Sequence, residues 1–246
     1  MVESPPIVTE VPEAKGKMDL RLVVWPDESL RDPVHGFNEE QIKSKLVRNT
    51  AGAMIRAMYK MHGIGLAAQQ VGVPGAMFIL DVNWHTTGRK MPKIFLNPVM
   101  LEFGGGIVEM AGKGEGCLST PYGYFSPVPR SEKVLLEWTG LDCETHKEWF
   151  DGVEAIAIQH EIDHLHGHLF IDRLSNLKQD IFKRKARKQR RRYAQGYKRT
   201  KRELELVARS EKRLTKAKAK GAERVARHLA AVEAADRAKR ITEAQS

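Results

Sequence analysis

Between residues 38 and 63 the apolar positions recur at helical spacing, with Ile42, Leu46, Met54, Ile55 and Met58 suiting one buried face. Asn38 followed three residues later by Gln41 is a capping box that opens such a helix, and Gly63 closes it. Upstream, LRLVVWPDESLRDPV reads as a short strand running into a Pro-punctuated loop. From Ala76 to about Trp149 the pattern changes to short β-rich runs, AMFILDV, KIFLNPV and KVLLEWTG, separated by Gly, Pro and Asn. That pattern predicts a small antiparallel sheet system. Asp151 with Glu154 forms a second capping box before DGVEAIAIQHEIDHLHG, an apolar helix on which Val153, Ile156, Ala157, His160 and His164 share roughly one face. Beyond Leu177, Gly196 and Gly221 alone interrupt a helix-prone stretch rich in Ala, Lys, Arg and Glu. Its apolar residues are sparse, which predicts solvated or partner-dependent helices.

The charge balance divides the chain at the same place. The net charge of +10 over 246 residues splits into −6 for residues 1–177 and +16 for residues 178–246. A polyanionic partner is therefore expected at the C-terminal tail, where KRKARKQRRR (183–192) and KRTKRE lie near Tyr193 and Tyr197. The opening MVESPPIVTEVPEAKGK lacks the apolar run of a signal peptide and carries Glu3, Glu10 and Glu13, unlike an acid-poor transit sequence. It reads as a disordered leader. No stretch approaches a membrane-spanning length, and two cysteines, Cys117 and Cys143, make no disulfide framework. A reducing cytoplasm is the expected compartment. The division predicted is a leader (1–17), a catalytic domain (18–177) and a basic tail (178–246).

Chemistry concentrates in His160-Glu161-Ile162-Asp163-His164. Residues four apart project from one helix face, so two imidazoles can ligate one ion while Glu161 reaches the ion's water. A catalytic site needs a third ligand and an open position. The metzincin extension would put histidine six residues after His164, where Phe170 stands, so that class is excluded. Cys117, in the Gly-flanked segment Glu115-Gly116-Cys117-Leu118-Ser119, is the other candidate; its thiolate would complete a His2Cys site.

Three separated segments resemble the signature motifs of peptide deformylases: Gly63-Ile64-Gly65-Leu66-Ala67-Ala68-Gln69-Gln70, then Glu115-Gly116-Cys117-Leu118-Ser119, then Gln159-His160-Glu161-Ile162-Asp163-His164. Their order and approximate spacing also match, and the similarity runs from about Leu20 to Leu177. The resemblance implies that Cys117, His160 and His164 hold a metal, iron(II) in the family, with zinc, nickel or cobalt as substitutes. It implies that Glu161 is the general base and acid, and that the Gln70 amide and the Leu118 backbone N–H stabilise an oxyanion, with Gln69 as the lesser candidate for Gln70's role. It implies a methionine pocket lined by Ile64, Val153, Ile156 and Ala157, and backbone of Ile64, Gly65 and Gly116 that pairs with an extended substrate. The expected substrates are N-formylmethionyl nascent peptides. In the family a basic C-terminal helix docks the enzyme at the ribosome, which makes ribosomal RNA the expected partner of the tail. Lys113-Gly114 and the long Tyr122-Gly123-Tyr124 segment depart from the family pattern and bear on substrate preference.

The expected fold is α+β, antiparallel β-sheets partly wrapped around a central metal-bearing helix, with the first helix packed outside and the chain a monomer. Two rival readings remain. A zinc endopeptidase would rest on HExxH alone and give Cys117 and Gln70 no task. An inactive RNA- or ribosome-associated module would predict a damaged ligand set.

Overall fold

The structure, a computed structural model, describes residues 20–32, 34–120, 123–189, 191 and 209. The leader, Tyr122 and most of the basic tail lie outside the described residues. The chain divides into two units, Met1–Ala186 and Arg187–Ser246. The sheet, the helices packed on it and the candidate site all belong to the first unit.

The centre of that unit is one five-stranded antiparallel sheet, formed by β1 (Gly65–Ala67), β2 (Met77–Leu80), β3 (Lys93–Val108), β4 (Arg130–Thr139) and β5 (Thr145–Asp151) in sequential order. The runs MFIL and KIFLNPV occupy β2 and β3 as their composition predicts, and KVLLEWT lies in β4. The fold class is α+β, in a single sheet. The opening segment is not a strand; residues 20–24 are irregular and tie two distant segments together, Val23 N–H donating to the Gln70 carbonyl and Trp25 N–H to that of Ser119, both at 2.7 Å.

The period of two along the central strands sorts their side chains onto two cores. Leu66, Met77, Ile79, Ile94 and Leu96 meet α2 (Lys45–Lys60) through Val47, Ala51, Met54, Ile55 and Met58. Ala67, Phe78, Leu80, Phe95, Val134, Leu136 and Phe150 meet α4 (Gly152–Leu165) through Ala155, Ala157, Ile158, Ile162 and Leu165. A sheet covered on both faces explains why MFIL is apolar throughout. A third cluster joins Leu30, Val128, Phe170, Leu174, Phe182 and Ala186, with Cys117 and Tyr124 at its border. Phe182 and Ala186 belong to the helical stretch 176–189.

Local details differ from the sequence pattern. The first helical region is two helices, α1 (Glu39–Lys43) and α2, because Ser44 adopts an extended conformation and caps α2 with a bond from Val47 N–H to its hydroxyl. The Asn38/Gln41 capping box forms on α1. Leu46 falls on the outer side, 66% exposed. The left-handed residue ending this region is His62 (φ 56°), not Gly63. Gly63 serves a close approach instead: a Cβ there would lie 2.9 Å from the Leu118 side chain. The Asp151/Glu154 box does not form. Asp151 is the last residue of β5, paired with Lys133, and Gly152 turns the chain at φ 55°, leaving Glu154 to bond the Lys93 ammonium at 2.7 Å. Between these two regions α3 (Trp84–Thr87) is a short turn whose Trp84 indole N–H donates to the Gly63 carbonyl at 2.9 Å.

Candidate metal centre and catalytic site

Helix α4 is buried along Ala155–Leu165, so the polar groups it carries, Gln159, His160, Glu161, Asp163 and His164, need partners inside the fold. His160 and His164, one turn apart, have ring centroids 5.0 Å from each other. The loop between β3 and β4 brings Cys117 to them, its Sγ 3.2 Å from His164 Nε2. One ligand atom from each of the three residues lies within 4.8 Å of the others, a group that could hold a metal ion. One soft sulfur and two imidazole nitrogens converging in a buried pocket suit a divalent transition metal.

The second layer was only partly visible in sequence. His160 Nδ1–H donates to Glu115 at 2.8 Å, which leaves Nε2 as the free ligand atom. Glu115 also receives two bonds from Arg130, Nε to Oε1 at 2.7 Å and Nη2 to Oε2 at 2.9 Å. Arg130 in turn reaches Asp163 at 2.7 Å, and Asp163 accepts from Arg173 Nε at 2.6 Å. Phe170 stacks on His160 from the other side, with centroids 6.0 Å apart. Glu115 and Asp163 stood inside motifs; Arg130 and Arg173 carried no sequence signal, because the contacts that give them a role span 15, 33 and 10 residues.

Burial shapes the protonation of this cluster. It disfavours the Glu161 carboxylate, and the negative charge of Glu115 adds to that, so that even against the attraction of His160 the Glu161 pKa is pushed up to about 7. Burial strips the proton from His164, with the charge of His160 in support, and lowers its pKa well below the ordinary value. At His160 burial acts the same way but is outweighed by bonds to Cys117 and Glu115, and the pKa rises well above the ordinary value. Burial likewise opposes ionisation of Glu115 and Asp163. The bonds from Arg130 and His160 to Glu115, and from Arg173 and Arg130 to Asp163, overcome it and hold both carboxyls below their ordinary values.

Around this centre is a cavity of about 600 Å³ whose walls include Cys117, His160 and Glu161 together with Gln70 and Leu118. The Gln70 amide donates to Ser119 Oγ at 3.1 Å and lies 3.4 Å from Cys117 Sγ, while its oxygen accepts from Ala67 N–H at 2.8 Å. Gln69 turns away, its amide bonding the Asp32 carbonyl. Of the residues expected to bind substrate, Ile64, Gly65, Gly116 and Ala157 line the cavity. Val153 and Ile156 do not: the first is 49% exposed and the second is buried at 4%. Helical periodicity placed them with Ala157, but α4 is covered on several sides, so a shared face does not mean a shared cavity. Residues without a motif to mark them complete the walls, among them Lys60, His62, Met110, Tyr124 and Phe125.

The model of the family described as polypeptide deformylase matches residues 20–180, a span that contains all three motifs and every residue of the centre. The chain belongs to the polypeptide deformylase family. A peptide deformylase of Rhodopseudomonas palustris (strain BisA53) is 39% identical over 181 residues, covering 72% of this chain and 93% of the relative. Another from Neisseria gonorrhoeae is 38% identical over 169 residues, covering 69% of this chain and 95% of the relative. Among solved structures, a peptide deformylase from Legionella pneumophila aligns with TM-score 0.63 at 31% identity, covering 71% of this chain and 97% of that one. The Synechococcus elongatus deformylase, solved in complex with actinonin, aligns with TM-score 0.61 at 32% identity, covering 68% and 86%. These deformylase relatives give no support to the endopeptidase or inactive-module readings. No helix among the described residues is long and apolar enough to cross a membrane.

Proposed function

We propose that this chain is a metal-dependent peptide deformylase that hydrolyses the N-formyl group of formyl-methionyl nascent peptides, releasing formate, as a cytoplasmic monomer. The observation that carries the reading is the buried Glu161 carboxyl in the same cavity as Cys117 and His160, which converge with His164 into a group that could hold a metal ion. Those three side chains would hold the ion, iron(II) by family resemblance, with zinc, nickel or cobalt as substitutes. When bound, the ion acidifies water and polarises the formyl oxygen.

Glu161 accepts the proton of the attacking water as the water oxygen bonds the formyl carbon. The Gln70 amide and the Leu118 backbone N–H donate to the oxygen that gains negative charge. Glu161 then returns the proton to the departing nitrogen as the C–N bond breaks, leaving formate and a free amine. Ile64 and Ala157 receive the methionine side chain, and backbone of Ile64, Gly65 and Gly116 pairs with the extended peptide; β1 is an edge strand with one neighbour, open to such pairing.

The deciding test is formate release from a formyl-Met dipeptide by anaerobically iron-loaded protein. Release supports the reading; none from folded, metal-loaded protein refutes it. Cys117→Ser distinguishes the rival metallopeptidase: the deformylase ligand set predicts a drop in metal content and activity of about 10-fold or more, whereas an endopeptidase that does not use Cys117 would keep both.

Gly65 supplies a sharper test of how Glu161 is placed. A Cβ at Gly65 would lie 2.3 Å from Glu161 Oε1, the free end of a side chain that can swing aside. Gly65→Ala therefore leaves the melting temperature within a few degrees while turnover falls about 10²-fold, the scale of a misplaced catalytic group. Unchanged turnover would mean that the carboxylate works from another position.

The basic tail is proposed to bind ribosomal RNA. Removing residues 183–246 is expected to abolish ribosome co-sedimentation at low salt, and binding by the full chain should weaken steeply as salt rises. Co-sedimentation that survives the deletion would refute this.

A further inference from the structure

Outside the metal centre, the cavity lining carries one ammonium group, Lys60, and no exposed carboxylate. Its lining carboxylates are Glu115 and Glu161, both buried, the first engaged by Arg130 and His160. Its other ionisable lining residues are Lys60, His62 and Tyr124. Lys60 closes α2 and is exposed; it stands five residues before Gly65, where the wall leads outward from Glu161 through Ile64, Gly63, His62 and Met61. On the wall built from 114–118 and 123–125, the Lys113 ammonium lies 6.0 Å from the ring centroid of Phe125, itself a lining residue. Neither lysine is joined to a carboxylate in the ion pairs among the described residues. Two exposed ammonium groups outside those ion pairs thus flank the cavity, Lys60 in one wall and Lys113 one residue before Gly114 and over Phe125 of the other.

We infer that Lys60 and Lys113 select substrates with an acidic side chain at the second or third residue. This selection rests on the deformylase reading, which puts the formyl carbon beside Glu161 and the methionine inside the cavity. An extended chain then advances about 3.3 Å per residue toward the rim, so the next two side chains are the first to leave the enclosed space. A carboxylate there meets both ammonium groups, and a lysine is repelled by them. The rim is open to solvent, so each charge changes binding by the amount typical of exposed pairs, about two- to fivefold.

The test compares kcat/KM of the full-length, metal-loaded enzyme for formyl-Met-Ala-Glu, formyl-Met-Ala-Ala and formyl-Met-Ala-Lys, and for the same set with the charged residue second. Expected is the order Glu, Ala, Lys at one or both positions, carried mainly by KM and flattened by 0.5 M NaCl. The double variant Lys60→Glu, Lys113→Glu should invert the order of the three peptides' kcat/KM values. Lys147→Glu, an exposed charge on β5, controls for net charge. Equal rates for all peptides at both positions, an order unmoved by the double variant, or an equal shift in the Lys147 control would overturn the inference. Absence of turnover with every peptide would instead sink the deformylase reading itself.

Discussion

Glu161→Gln yields a folded protein that retains its metal but releases formate from a formyl-methionyl peptide about 10²- to 10⁴-fold more slowly than the parent, the range for removing a general acid–base group. Glutamine keeps the shape of the side chain, so Gly65, against which the carboxylate packs, is undisturbed, and the ligands Cys117, His160 and His164 are untouched. What disappears is the group placed to take a proton and return it. With no ion bound, burial pushes its pKa up to about 7, and a carboxyl raised toward neutrality suits both taking and returning a proton. The check is single-turnover formate release alongside metal analysis. Undiminished release at full metal occupancy would remove Glu161 from the chemistry.

Arg130→Met is expected to destabilise the fold by about 3–5 kcal/mol at pH 7, the largest effect anticipated from a single change outside the ligands. Arg130 is 3% exposed and is the cation shared by Glu115 and Asp163. Without it Glu115 loses a two-point partner and keeps His160, and Asp163 loses one of two guanidinium partners and keeps the partly exposed Arg173. The sign of the pH dependence follows from the depressed folded-state values. A carboxyl whose pKa is lowered by folding contributes stability that is complete above its ordinary value, 4.5 for Glu and 3.8 for Asp, and is lost as pH falls through the folded value. In the Arg130 variant both carboxyls titrate higher, so acid relieves the unpaired charges and the gap to the parent narrows below about pH 4.5. Urea midpoints at pH 7 and pH 4 measure this. A gap that widens on acidification would show that the network is not what holds the loop to α4. Because Glu115 also orients His160, the variant should lose about 10- to 100-fold in metal affinity as well.

The three motifs were legible because each is local. HExxH needs only the pitch of a helix to aim two imidazoles alike, and a glycine-flanked cysteine needs only a loop to present it. The apolar runs of β2, β3 and β4 were legible for the same reason, since alternation and composition act over a few neighbouring residues. Expectations that turned on one residue's surroundings failed. Ser44 splits the first helix, and Leu46 faces outward. Asp151 stays with β5, and of the residues that the resemblance grouped with Ala157, Val153 is half exposed and Ile156 is buried away from the cavity lining.

By itself, then, the sequence pointed to the α+β character, to Cys117, His160 and His164 as metal-binding candidates with Glu161 beside them, and to the concentration of positive charge beyond Leu177, all carried by neighbours in the chain. Only the tertiary structure shows how Gln69 and Gln70 differ: one step apart along a 3-10 turn, Gln70 meets Ser119 and the Cys117 sulfur while Gln69 meets the Asp32 carbonyl. It also decided that Arg130 joins Glu115 to Asp163, that Lys60 lines the cavity and that Lys113 lies over the lining residue Phe125. Those arrangements depend on where β3, β4 and α4 bring distant segments together, and a contact across 15 or 33 residues leaves no mark on the spacing of either partner.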